Sequence, residues 1–161
     1  MNTFKKINQS GIGLVETIVA LGISVIIIVS LVSLSVFVLR SSIQSKQLLQ
    51  SSKVANEQIQ LVKAYRNSNS WDQFVNTMAS CTQVTPCSAT LGGTSIAIFN
   101  GNLTLNEGTA TAMSVNFFAT DPVNGGDVEP TSNIVRIAVN VSWYLGSDVK
   151  STHIYTELAN W

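Results

Sequence analysis

Chemistry in this 161-residue chain could come from two cysteines, one histidine, an acidic loop and a carboxylate at the head of an apolar run. Cys81 and Cys87 enclose Thr82-Gln83-Val84-Thr85-Pro86. That spacing is not the C-x-x-C of redox motifs, and a single His leaves no second ligand pair for zinc. On an exported chain an even pair of cysteines reads as a disulfide, here a structural staple. Asp121-Pro122-Val123-Asn124-Gly125-Gly126-Asp127-Val128-Glu129 offers several oxygens of the kind a hard cation takes, without the spacing of an EF-hand. No metal is expected there; Asp121, Asp127 and Glu129 are the ligands if calcium binds. His153 falls on the polar side of a strand pattern, and no nucleophile elbow accompanies it. We therefore expect no catalytic residue, no cofactor and no enzyme. Asn102-Leu103-Thr104 and Asn140-Val141-Ser142 match glycosylation sequons but lie in strand patterns. The remaining group is Glu16, which opens a long uncharged stretch. A carboxylate inside a membrane helix costs up to about 2.5–3.5 kcal/mol at the centre and less near the edge. It is either wet at an interface or retained for a purpose.

The charges that surround these residues are unevenly distributed. Lys and Arg number nine and so do Asp and Glu, for a net charge of zero. Residues 1–66 hold seven bases and two acids, while residues 67–161 hold two bases and seven acids. An acidic C-terminal half argues against nucleic-acid binding, which needs a basic patch. From Thr17 to Leu39 there are 23 consecutive uncharged residues. As a helix they would extend roughly 35 Å, enough for a hydrocarbon core of about 30 Å. Lys5 and Lys6 precede them, so the positive-inside rule keeps the N-terminus in the cytoplasm and exports the C-terminal bulk. The run exceeds the 7–15 residues of a signal-peptide core and ends in Phe37-Val38-Leu39-Arg40 without a small-x-small cleavage site. It reads as an anchor.

Gly11-Ile12-Gly13-Leu14-Val15-Glu16, set between a basic leader and the apolar run, resembles the class III signal of type IV prepilins and pseudopilins. The resemblance implies that prepilin peptidase, a membrane-embedded aspartyl enzyme, cuts between Gly11 and Ile12 and methylates the new N-terminal Ile12. Glu16 would then be the fifth residue of the mature chain and set the register of assembly by neutralising the amine of another subunit. An unpaired charge is disfavoured in a low-dielectric core, which gives that pairing its force. The implied partners are prepilin peptidase, other pilin subunits and an inner-membrane assembly platform. The implied location is a single-pass inner membrane, then a surface or periplasmic filament of a type IV pilus, type II secretion or DNA-uptake system. Ile12 stands where Phe is usual and Gly13 where Thr is common. Ser33 stands where many major pilins carry a helix-bending proline, so the chain is more like a minor pilin or pseudopilin. The reading from another class is an uncleaved signal-anchored surface protein whose exported head binds a ligand or partner.

Beyond the anchor, residues 40–67 contain neither Pro nor Gly, and Leu48, Ala55, Ile59 and Val62 recur on one helical face. Asn67-Ser68-Asn69-Ser70 supplies a polar stop. From Trp71 onward the period becomes two. Ser95–Phe99 and Asn102–Leu105 read as a hairpin about Asn100-Gly101, and Met113–Ala119 reads as another strand. In Ile134–Leu145 the residues Val135, Ile137, Val139, Val141, Trp143 and Leu145 share a face, and a last strand carries Ile154 and Leu158. The expected fold is α+β: a long N-terminal helix packed against an antiparallel meander of about four or five strands. Its parts are a leader (1–11), an anchor helix (12–39), an amphipathic continuation (40–67) and a globular head (68–161). The family resemblance implies the same architecture.

Overall fold

The computed structural model describes residues 10–106 and 112–160, with side chains from residue 13. The leader from Met1 to Gln9 lies outside the described residues. The chain divides into two compact units, Met1–Ile43 and Gln44–Trp161. Helix α1, Ser10–Ser68, begins in the first and ends in the second.

Within the first unit α1 is apolar on all sides. Leu14, Ile26, Ile27 and Ile28, spread right around the axis, are each more than half exposed. Five of its hydroxyls are spent inside the helix. Thr17 Oγ1 donates to the Leu14 carbonyl at 2.9 Å, and Ser24, Ser30, Ser33 and Ser35 donate to the carbonyls four residues earlier at 2.8–2.9 Å. Such back-bonding satisfies a hydroxyl where water is absent. This segment is long and apolar enough to cross a membrane.

The second unit is an α+β head. Here α1 buries Ser51, Ala55, Gln58, Ile59 and Val62. Leu48, expected on this face, is 50% exposed, because the neighbouring Gln47 is the residue turned inward at that level. A second helix, α2 (Trp71–Met78), follows at once where alternation was expected. Its cause is local. The Ser70 hydroxyl accepts from the Gln73 N–H, and the Gln73 side chain accepts from the Ser70 N–H, both at 3.4 Å, a reciprocal cap. Phe74, Val75 and Met78 then fall on one buried face.

Six antiparallel strands follow, somewhat more than expected: β1 (Cys87–Gly92), β2 (Ser95–Asn100), β3 (Leu103–Leu105), β4 (Met113–Thr120), β5 (Ile134–Leu145) and β6 (Asp148–Ala159). They are not a simple meander. The spatial order is β2-β1-β4-β5-β6, with β3 also on β4. The expected hairpin about Asn100-Gly101 does not form. Instead β2 folds back on the unanticipated β1, Ser95 opposite Gly92, through a turn in which Gly93 takes φ 67°. Past Asn100-Gly101 the chain crosses to β4, where β3 pairs Leu103–Leu105 with Val115–Met113. β1 joins the same edge of β4 further on, Cys87 opposite Phe117. Gly101 still turns the chain, at φ 117°, with its N–H donating to the Pro86 carbonyl at 2.7 Å.

β4, β5 and β6 form the long part of the sheet, with Val115, Val141 and Thr152 in one cross-strand row and Phe117, Val139 and Ile154 in the next. Met113, Val115, Phe117, Val135, Ile137 and Val139 are buried in the same core as Ala55, Ile59 and Val62 of α1 and Phe74 and Met78 of α2. At about 25 cal/mol per Å² of apolar surface removed from water, this common layer is what holds helix and sheet together.

Candidate functional site

Gly11 and Ile12 lie within α1 by backbone, and their side chains lie outside the described residues. Glu16 lies one turn further on and is exposed, as are the apolar residues around it. It has no ion pair among the described residues and is the one charged residue between Gly11 and Leu39. What this arrangement can do is electrostatic. A lone carboxylate on an otherwise uncharged, outward-facing helix selects a cation wherever water is excluded.

Cys81 and Cys87 are joined, with Cα atoms 5.2 Å apart, and both sulfurs are shielded from solvent. The bridge closes the passage from α2 to β1. Nearby the Ala119 N–H donates to the Cys81 carbonyl at 2.7 Å, which fastens that passage to the end of β4.

The acidic loop is arranged for itself. Asp121 is only 3% exposed. One carboxylate oxygen accepts the Val123 N–H at 2.8 Å and the Asn124 N–H at 3.4 Å. The other accepts the Ser132 hydroxyl at 2.7 Å and the Asn124 amide at 3.2 Å. The Ser132 and Val123 bonds hold its pKa below the ordinary carboxylate value; burial opposes them and the Asn124 bonds assist. Asp127 and Glu129 point elsewhere, both exposed, and no group of three or more metal-ligating side chains occurs among the described residues. The calcium candidates therefore do not converge; Asp121 is the internal anchor of a turn.

His153 is exposed on β6, with Nε2 3.5 Å from the Ser151 hydroxyl, and no acid is paired with it among the described residues. Of the two sequons, Asn102 precedes β3 and bonds Asn116, and Asn140 sits within β5 opposite His153.

Two polar residues matter more than their sequence suggested. Gln58 of α1 donates its amide to the Ala89 carbonyl and accepts the Ala89 N–H, each at 3.0 Å. β1 pairs by backbone with β4 only at Cys87, so the Ala89 peptide faces a gap in the sheet. The Gln58 amide stands in for a missing strand. Ser88, fully buried, lies within hydrogen-bond reach of the Gly101 and Val115 carbonyls at 2.7 and 3.0 Å. A Gln three residues after Ala55 on the apolar face was the available signal for the first; Ser88 left none.

Set against known proteins, the chain matches no family model, no curated protein and no solved structure.

Proposed function

We propose that this chain is a prepilin-like structural subunit, a minor pilin or pseudopilin, cleaved after Gly11 and assembled into a type IV pilus or related filament. The observation that carries the reading is the run Gly11–Glu16 directly ahead of a helix segment that is apolar on every side, with Glu16 its sole charge. Cleavage creates a cationic amine on Ile12, methylated or free. In the filament interior Glu16 of one subunit neutralises that amine on another, which fixes the axial register. The apolar segment exchanges lipid for its neighbours, and the head stays outside the cytoplasm. The working residues are Gly11 for processing, Ile12 as the new N-terminus and Glu16 for assembly, with no chemistry of the head required.

A Glu16→Ala chain tests this. Removing the carboxylate eases insertion, so membrane level and cleavage should match the wild type. The Ile12 amine of a neighbour is left unpaired at a cost of several kcal/mol, and recovery in sheared filaments should fall sharply. Incorporation at the wild-type ratio, or an intact mass that retains Met1–Gly11 where prepilin peptidase is active, overturns the proposal.

A further inference from the structure

The bases of the second unit lie mainly on α1 and its acids mainly beyond it, although Glu57 follows Lys53 by one turn on the same side of the helix. On α1, Lys46 and Lys53 are exposed and seven residues apart, hence on one side of the helix. Between them on that side Leu49 is 75% exposed. Leu49 lies ten residues past Leu39, about 15 Å along the helix beyond the uncharged run. Neither lysine has an ion pair among the described residues, where Arg136–Glu157 and Lys150–Asp148 take up the other acids of the sheet.

The complementary surface lies at the other end of the same unit. In the loop after β4, Val123 is 74% exposed, and Asp127 and Glu129 are exposed and without ion pairs among the described residues. The loop is rigidly built: Asp121 holds it from within, the Ser132 N–H donates to the Glu129 carbonyl, and the Trp71 indole donates to the Ser132 carbonyl at 3.0 Å. That last bond ties it to the start of α2, three residues past the end of α1 at Ser68. Exposed Asp72 adds a third acid there. From Leu49 to Ser68 is about 28 Å along the helix. An aliphatic side chain flanked by two lysines and an aliphatic side chain flanked by acids thus stand too far apart to meet within one chain.

We propose that a second copy of this chain seats its Val123–Glu129 loop on the Lys46–Lys53 face of α1. The inference rests on the filament reading for one element, the parallel alignment of copies, and adds the contact that spaces their heads. Two parallel copies offset by roughly 30 Å bring the two patches together. Because different patches meet, the contact does not close on itself and repeats from copy to copy. Opposite charges at its rim set orientation and partner choice, and the leucine and valine supply the dry centre.

The test places a photo-crosslinking benzophenone amino acid at Leu49 of the full-length chain, irradiates it in membranes of cells with the assembly machinery, and maps the adduct by mass spectrometry. The expected product is a dimer joined to the segment 121–129. Adducts confined to lipid, to the same chain or to another segment overturn the contact. Lys46→Glu with Lys53→Glu, or Asp127→Lys with Glu129→Lys, should each reduce the dimer adduct at least fivefold, and all four changes together should restore it to within twofold. Failure of that restoration also overturns it. Filaments of wild-type chain with the Leu49 adduct elsewhere remove this contact alone. The expected adduct without filaments supports the contact and removes the filament reading.

Discussion

Gln58 offers the sharpest test of how the head is closed. Its amide satisfies both the N–H and the carbonyl of Ala89, a residue with no exposed surface. In Gln58→Ala both groups stay buried and lose their partner. Each such orphan costs about 1–3 kcal/mol, so the pair should cost roughly 2–6 kcal/mol, a large fraction of a domain's usual 5–15 kcal/mol. Urea unfolding of a fragment spanning residues 44–161, with m of about 1–3 kcal/mol/M, should show a midpoint lowered by about 0.7 M or more at unchanged m. Gln58→Glu should be nearly as damaging, since it keeps the acceptor for the N–H but turns a second oxygen toward the Ala89 carbonyl. Gln47→Leu is the control. Gln47 is also buried, but its Oε1 has no partner among the described residues, so losing it should be neutral or stabilising. Amide exchange reads the same event locally: the Ala89 N–H, protected in the wild type, should exchange rapidly in Gln58→Ala. A Gln58→Ala fragment within 0.5 kcal/mol of wild type, with Ala89 still protected, would refute the strand-substitute role.

The folded, unreduced head should contain no free thiol, and replacing Cys81 and Cys87 by Ser should lower its stability by about 2 kcal/mol for so short a loop; a count of two thiols sinks the staple. Asp121 gives a pH signature. Its folded pKa lies below the ordinary 3.8, so its contribution is complete above that value and is lost as pH falls through it toward the folded pKa. Asp121→Asn should therefore flatten the acid limb of the stability curve, and an unchanged limb below about pH 5 contradicts the hydrogen-bonded carboxylate.

Much of this was legible from residue periodicity. The twelve-residue alternation of Ile134–Leu145 placed β5 and its buried face, and the uncharged run placed the apolar part of α1. What stayed hidden has three physical causes. α2 is two turns long and announces itself only by the Ser70–Gln73 cap, a signal weaker than the strand-like valine and threonine around it. Asn100-Gly101 is a turn signal, and it does turn the chain, but a turn does not name the strands that flank it. Cys87-Ser88-Ala89-Thr90 carries no alternation, because both sides of β1 are enclosed there, so the true partner of β2 was invisible. The roles proposed for Glu16 and the Gly11–Ile12 junction rest on residue type and spacing alone, since no tertiary contact within one chain bears on them.

The serines of the apolar segment have a consequence for motion. A polar side chain in a hydrophobic medium ordinarily acts as a latch, holding a helix at one rotation angle because its hydroxyl must find a neighbour. Here Thr17, Ser24, Ser30, Ser33 and Ser35 each bond the carbonyl of their own preceding turn. Nothing is left to demand a particular neighbour. In the membrane and filament proposed above, a segment so satisfied would turn about its axis at little polar cost. In the filament proposed above, its angle and height would be left to the one carboxylate at its head.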